Sequence, residues 1–137
     1  MHVRIAPADI TELAEHEVFV FGSNRAGRHT KGAALLAHRK FGARMGQADG
    51  LMGRSYGIPT KDRNLRTLPL PAIGSQVAKF LRFAVANPQH VFLVTQIGCG
   101  LAGYQPRDIA PLFAAHPIPD NVALPEAFAK LVKRPPG

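Results

Sequence analysis

Two glycine-rich segments and one lysine hold most of the chemistry this sequence can offer. The first segment is Gly22-Ser23-Asn24-Arg25-Ala26-Gly27-Arg28-His29-Thr30-Lys31-Gly32-Ala33-Ala34. The second is Ile97-Gly98-Cys99-Gly100-Leu101-Ala102-Gly103-Tyr104. Each follows an apolar run of strand character and precedes a helical pattern. Glycine allows close backbone approach and positive φ. A helix start presents unpaired N–H groups and a partial positive charge, which suits phosphate. Neither segment is a Walker A loop, because no Gly-Lys-Ser/Thr closes it. Gly98, Gly100 and Gly103 have dinucleotide-fold spacing, but late in the chain and with no βαβ unit after them. The glycines could simply make tight turns; two such junctions in one chain favour a phosphate-bearing ligand.

Lys61 is the candidate nucleophile. A lysine acts as one only when neutral, which requires desolvation or a neighbouring cation. The preceding Tyr56, Ile58 and Pro59 offer burial, and Arg63 is a cation close in sequence. The plain alternative is a solvated lysine paired with Asp62. His29 reads as an exposed loop histidine, with phosphate contact or base chemistry as the alternative. Cys99 stands near a helix start that would lower its pKa, yet a small buried thiol is the simpler reading. Asp108, in a first helical turn, compensates the helix dipole rather than acting as an acid.

These residues need a scaffold. Val18-Phe19-Val20-Phe21 reads as a buried strand stopped by Gly22-Ser23-Asn24, and Lys31 to Phe41 as a helix closed by Gly42. Ser55 to Ile58 reads as a strand with Pro59 at its exit. A helix opening at Ser75 is stopped by Pro88, and His90 to Thr95 is the clearest buried strand. A helix over about 107–115, a short strand over 121–124 and a last helix over 125–132 complete the order, with Pro135-Pro136-Gly137 as a frayed tail. Alternating strands and helices predict one layered α/β domain over residues 1–137.

The 137 residues are 46% hydrophobic with one cysteine and six histidines. No apolar run is long enough to span a membrane, no signal-peptide core opens the chain, and no Cys/His spacing suits zinc. A cytoplasmic protein without structural metal is expected. Net charge is +8 and the sequence pI is near 10.4, which attracts polyanions. The cations gather at Lys31, His38, Arg39 and Lys40, at Lys61, Arg63 and Arg66, and at Lys130, Lys133 and Arg134. They form no long block, and no aromatic platform interleaves them. Nucleic-acid binding is therefore expected to be weak, and a solubilising surface is the alternative.

At its two loops the sequence resembles a macrodomain, the family that binds ADP-ribose. Gly22-Ser23-Asn24 through Gly32-Ala33-Ala34 is similar to the loop and helix that wrap the distal ribose. Gly98 through Tyr104 is similar to the loop that cradles the diphosphate. Among subclasses it most resembles the terminal ADP-ribose protein glycohydrolase. The likeness lies in residues 31–42, in Ile58-Pro59-Thr60-Lys61 and in Ile97-Gly98-Cys99-Gly100-Leu101, within a stretch from about 18 to 116.

The resemblance implies a mixed sheet sandwiched between helices, a site for ADP-ribose or an ADP-ribosylated macromolecule, and no cofactor. It places Lys61 as the residue that attacks the anomeric carbon, assisted by an acid directly after the second loop's Gly-Leu. Here that position is Ala102, which cannot move a proton. Gly-x-x-Gly-Tyr is kept at Gly100 to Tyr104, so the resemblance implies binding more strongly than hydrolysis. Asn24 would reach ribose hydroxyls or merely form a turn, and Tyr104 would close over a ribose or pack beneath its loop.

Overall fold

Eight residues, Glu17–Asn24, form the central strand β2, and their side chains alternate between two buried faces. Val18 and Val20 enter one apolar cluster, while Phe19 and Phe21 enter another. A strand apolar on both sides must be covered on both sides. The computed structural model describes residues 3–132. The expected tail at 135–137, with Lys133 and Arg134, lies outside the described residues.

The other elements are β1 (Arg4–Ile5), α1 (Gly32–Lys40), β3 (Gly50–Met52), β4 (Ser55–Lys61), α2 (Leu70–Ala86), β5 (Val91–Val94), α3 (Pro106–Ala114), β6 (Val122–Leu124) and α4 (Glu126–Val132). The six strands form one sheet in the order β1-β6-β5-β2-β4-β3. Only the β3–β4 pair is antiparallel. The result is a mixed sheet between helices.

The two faces are covered unequally. Val18, Val20, Phe92 and Leu124 pack with α2, α3 and α4 in the larger cluster. Phe19 and Phe21 meet Ala34 and Ala37 of α1, with Phe41 just beyond it. The Phe19 and Phe41 rings stand 5.0 Å apart. Nine residues are too few for an isolated helix, so this packing is what holds α1 in place.

Several boundaries differ from the sequence reading. β2 continues through Gly22-Ser23-Asn24, because those residues still pair with β4, across a register shift at Ser23/Asn24. β4 continues to Lys61 with Pro59 inside it. β3 pairs only as far as Gly57, and Pro59 sits beside that register shift, where a missing N–H is tolerated. α2 begins at Leu70 rather than Ser75, with Pro71 in its first turn. The short edge strands β1 and β3 carry no pattern long enough to read. Among the described residues no helix is long and apolar enough to cross a membrane.

Candidate ligand cleft

β2 leads through α1 toward β4 on one side, whereas β5 leads through α3 toward β6 on the other. The connections diverge at the β2/β5 pair, and such a switch point opens a crevice at the carboxyl ends of the strands. Both glycine-rich segments meet there. A cavity of about 590 Å³ lies between them. A second, of about 690 Å³, adjoins it and shares Gly32, Ala33, Thr95 and Gln96.

The first cavity offers donors. α1 points its start into it through Gly32, Ala33 and Ala34. Its N-cap residue, Lys31, makes no side-chain cap, and its first turn holds no acid. The first-turn N–H groups thus have no partner among the described residues. Opposite, the N–H groups of Gly98, Gly100, Leu101 and Ala102 are equally without acceptors there. The loop is held from below: Tyr104 N–H donates to the Gly98 carbonyl at 2.9 Å and Gly103 N–H to that of Gly100 at 3.0 Å. Gly98 has φ +76°, so a side chain there would be strained, and its Cβ would stand 2.8 Å from Ile109 Cδ1, which would have to shift.

Among the described residues, three cations, Arg28, Lys31 and Lys61, line this cavity and no carboxylate does. Lys61 is half-buried at the end of β4. The alternative pairing with Asp62 does not form. Asp62 instead accepts from the Asn64 N–H at 2.8 Å and the Arg66 N–H at 3.0 Å, folding the turn that follows. Asp108 is likewise committed, accepting the Gln105 N–H in a capping box. Ala102 lines the cavity, and its carbonyl accepts from Thr67 Oγ1 at 2.7 Å. Neither Asp62 nor Asp108 lines the cavity that Lys61 lines.

Of the site residues named from the sequence, all but His29, Gly103 and Tyr104 line the first cavity. His29 is a correction, being wholly buried rather than exposed. Its Nε2 lies 2.8 Å from the Arg44 carbonyl and 2.9 Å from that of Gln47, which requires an Nε2–H donor. Its ring packs edge-on against Phe21. It clamps the first loop and lines neither cavity. Tyr104 packs beneath the second loop, its hydroxyl donating to the Leu68 carbonyl at 2.8 Å. Gly103 is exposed outside the cavity.

Other side chains line the cleft but are already engaged. Asn24 Nδ2 donates to the Arg28 carbonyl at 2.8 Å while its Oδ1 accepts the Arg28 N–H at 3.0 Å, so the amide shapes the loop. Ser23 Oγ donates to the Ala48 carbonyl, so its one donor is used there. Burial, reinforced by Asp108, pushes the Cys99 thiol up to about 11. The helix start does not lower it, and the thiol stays neutral at physiological pH.

The sequence reading did not assign Arg28, Thr30, Lys31, Ala34, Thr60, Leu65, Thr95 or Gln96 to the site. It also missed the second cavity, where Asp9, Ile10, Glu126 and Lys130 stand. Thr95-Gln96 follow directly on an apolar strand, a position that marks them as cleft residues. Asp9 and Ile10 belong to an irregular stretch with no period to find.

No family model matches this chain, and no curated protein does. One solved structure, described as a protein of unknown function from Bacteroides thetaiotaomicron, is similar with a TM-score of 0.63. The likeness covers 91% of this chain and 96% of that one at 15% sequence identity, which shows a shared fold.

Proposed function

We propose that this protein binds ADP-ribose, free or attached to a macromolecule, and acts as a reader rather than an efficient hydrolase in a cytoplasmic setting. The observation that carries the reading is the charge polarity of the double cleft. Among the described residues, its first half holds three cations, seven unpartnered N–H groups and no carboxylate. Its second half holds two carboxylates, Asp9 and Glu126, and one cation, Lys130, beside apolar Ile10, Phe19 and Val94. An anionic diphosphate with its distal ribose matches the first half. A nucleobase with an exocyclic amine and flat apolar faces matches the second.

The ranking of ligands tests this. In a competition assay, ADP-ribose should displace a fluorescent analogue best, ADP less well, and AMP and adenosine least. Equal potency of adenosine and ADP-ribose would sink the reading.

Lys61 then serves as a half-buried cation beside the distal ribose. A positioned acid or base contributes about 10²–10⁴-fold to such chemistry, and no carboxylate among the described residues lines the cavity with Lys61. Incubated with an ADP-ribosylated substrate, the protein should show at most one turnover. Ala102→Asp should raise release, and Lys61→Ala should remove any protein-linked adduct seen by mass spectrometry. Rapid multiple turnover that survives Lys61→Ala would contradict this assignment.

A further inference from the structure

Leu65 is held in a conformation that leucine resists. Its φ is +63°, in the left-handed region that suits glycine or asparagine. The bonds of its turn impose it. Asp62 Oδ1 accepts the Asn64 N–H at 2.8 Å and the Arg66 N–H at 3.0 Å. Asp62 N–H donates to the Arg66 carbonyl at 2.8 Å, and Leu65 N–H to the Asp62 carbonyl at 3.1 Å. The turn is closed at its base by the Lys61–Thr67 bridge and by Leu68 N–H on the Thr60 carbonyl at 2.8 Å.

The core gains nothing from this leucine. Leu65 is 43% exposed and enters none of the apolar clusters of the described residues. It lines the first cavity instead, together with Lys61 at the base of the same turn. Leu101, 69% exposed, lines that cavity from the second glycine-rich loop. Thr67 Oγ1 donates to the Ala102 carbonyl at 2.7 Å, so a bond two residues from one leucine and one residue from the other joins their segments. A strained backbone that presents an apolar side chain to a cavity rather than to the core is the build of a ligand clamp.

We propose that Leu65 and Leu101 set the specificity of this cleft, gripping the C–H face of the distal ribose and so selecting a ligand with a sugar beyond its diphosphate. The proposal rests on the ADP-ribose reading above and deepens it. The diphosphate takes the free N–H groups of α1 and of the second loop, which leaves the Lys61 end for the sugar. A ribose ring has two characters there, with hydroxyls that suit Lys61 and a C–H face that suits leucine. Cations and N–H groups serve ADP and ADP-ribose alike, whereas leucine contacts at the Lys61 end reward only the ligand that has the ring. Specificity is that difference of affinities, and it falls to the two leucines.

The test titrates the full chain with ADP-ribose and with ADP, in the wild type and in Leu65→Gly, Leu65→Met and Leu101→Ala. Glycine removes the side chain and suits the positive φ, so Leu65→Gly should melt within a few degrees of the wild type. It should bind ADP-ribose about five- to tenfold more weakly, the loss expected when roughly half a leucine side chain is no longer covered, and bind ADP as before. Leu101→Ala should lower the same ratio of affinities. Leu65→Met keeps the apolar bulk and should stay within about twofold of the wild type for both ligands. If Leu65→Gly weakens ADP-ribose and ADP equally, the turn merely shapes the cavity and the proposal is overturned alone. Unchanged ADP-ribose affinity in both Leu65→Gly and Leu101→Ala overturns it in the same way. If the wild type does not bind ADP-ribose, the cleft reading falls and the proposal with it.

Discussion

Gly100 is the residue at which ligand contact and folding separate most cleanly. It lines the cavity, has ordinary φ, and a Cβ there would meet nothing within 4 Å. Gly100→Val should therefore leave the melting temperature within a few degrees of wild type while weakening ADP-ribose at least tenfold, as calorimetry would read. An unchanged affinity would place the diphosphate elsewhere. Gly103 gives no such test, since its φ of +90° makes any substitution strained. Cys99 reports on the same loop. Because burial raises its pKa, its neutral form stabilises the fold below the ordinary thiol range, and that contribution is lost as pH rises from about 9 toward 11. Alkylation by iodoacetamide should climb about tenfold per pH unit through pH 10 without levelling, and ADP-ribose should slow it. A plateau below pH 9 would contradict the burial. At this scale the sequence was legible where glycines follow an apolar run, as at Gly98 to Gly103. His29 was not, because the Arg44–Gln47 stretch that buries it lies 15 to 18 residues away.

α1 carries a tension between stability and binding. Its start has no cap and no acid, so Lys31 leaves the N–H groups of Gly32, Ala33 and Ala34 free for a ligand. Lys31→Asp would supply both cap and countercharge, stabilising the protein by about 0.5–1 kcal/mol in denaturant unfolding. The same carboxylate would occupy the anion site and weaken ADP-ribose by tenfold or more. Stabilisation with unchanged affinity would exclude the helix start from the site. The element order of the sandwich could be read from period and punctuation, since β2, β5 and α2 are long or uniformly apolar. The ends of β2 and β4 could not. Pro59 and Gly22 look like stops until their pairing partners are known, and pairing is a property of two distant segments. The edge strands, of two and three residues, are too short to show alternation.

The described residues gather three cations at one end of a crevice and two carboxylates with Lys130 at the other, and that arrangement follows from topology more than from any motif. Divergent connections at β2/β5 bring the first loop, the second loop and the stretch around Asp9 to one edge of the sheet. The sequence showed the two loops but not the stretch around Asp9, because its role depends only on where the chain passes. Unmodified nucleic acid should bind the +8 surface weakly and be released near physiological salt, since few phosphates are engaged at once. Salt-resistant binding to a defined RNA or DNA would make nucleic acid the primary ligand. The most direct test of the account is calorimetric titration of the full chain with ADP-ribose. It should show one site per chain with a Kd in the micromolar range or tighter, about −8 kcal/mol, and adenosine should give little heat. The absence of any binding to ADP-ribose across several buffers and salt concentrations would contradict it.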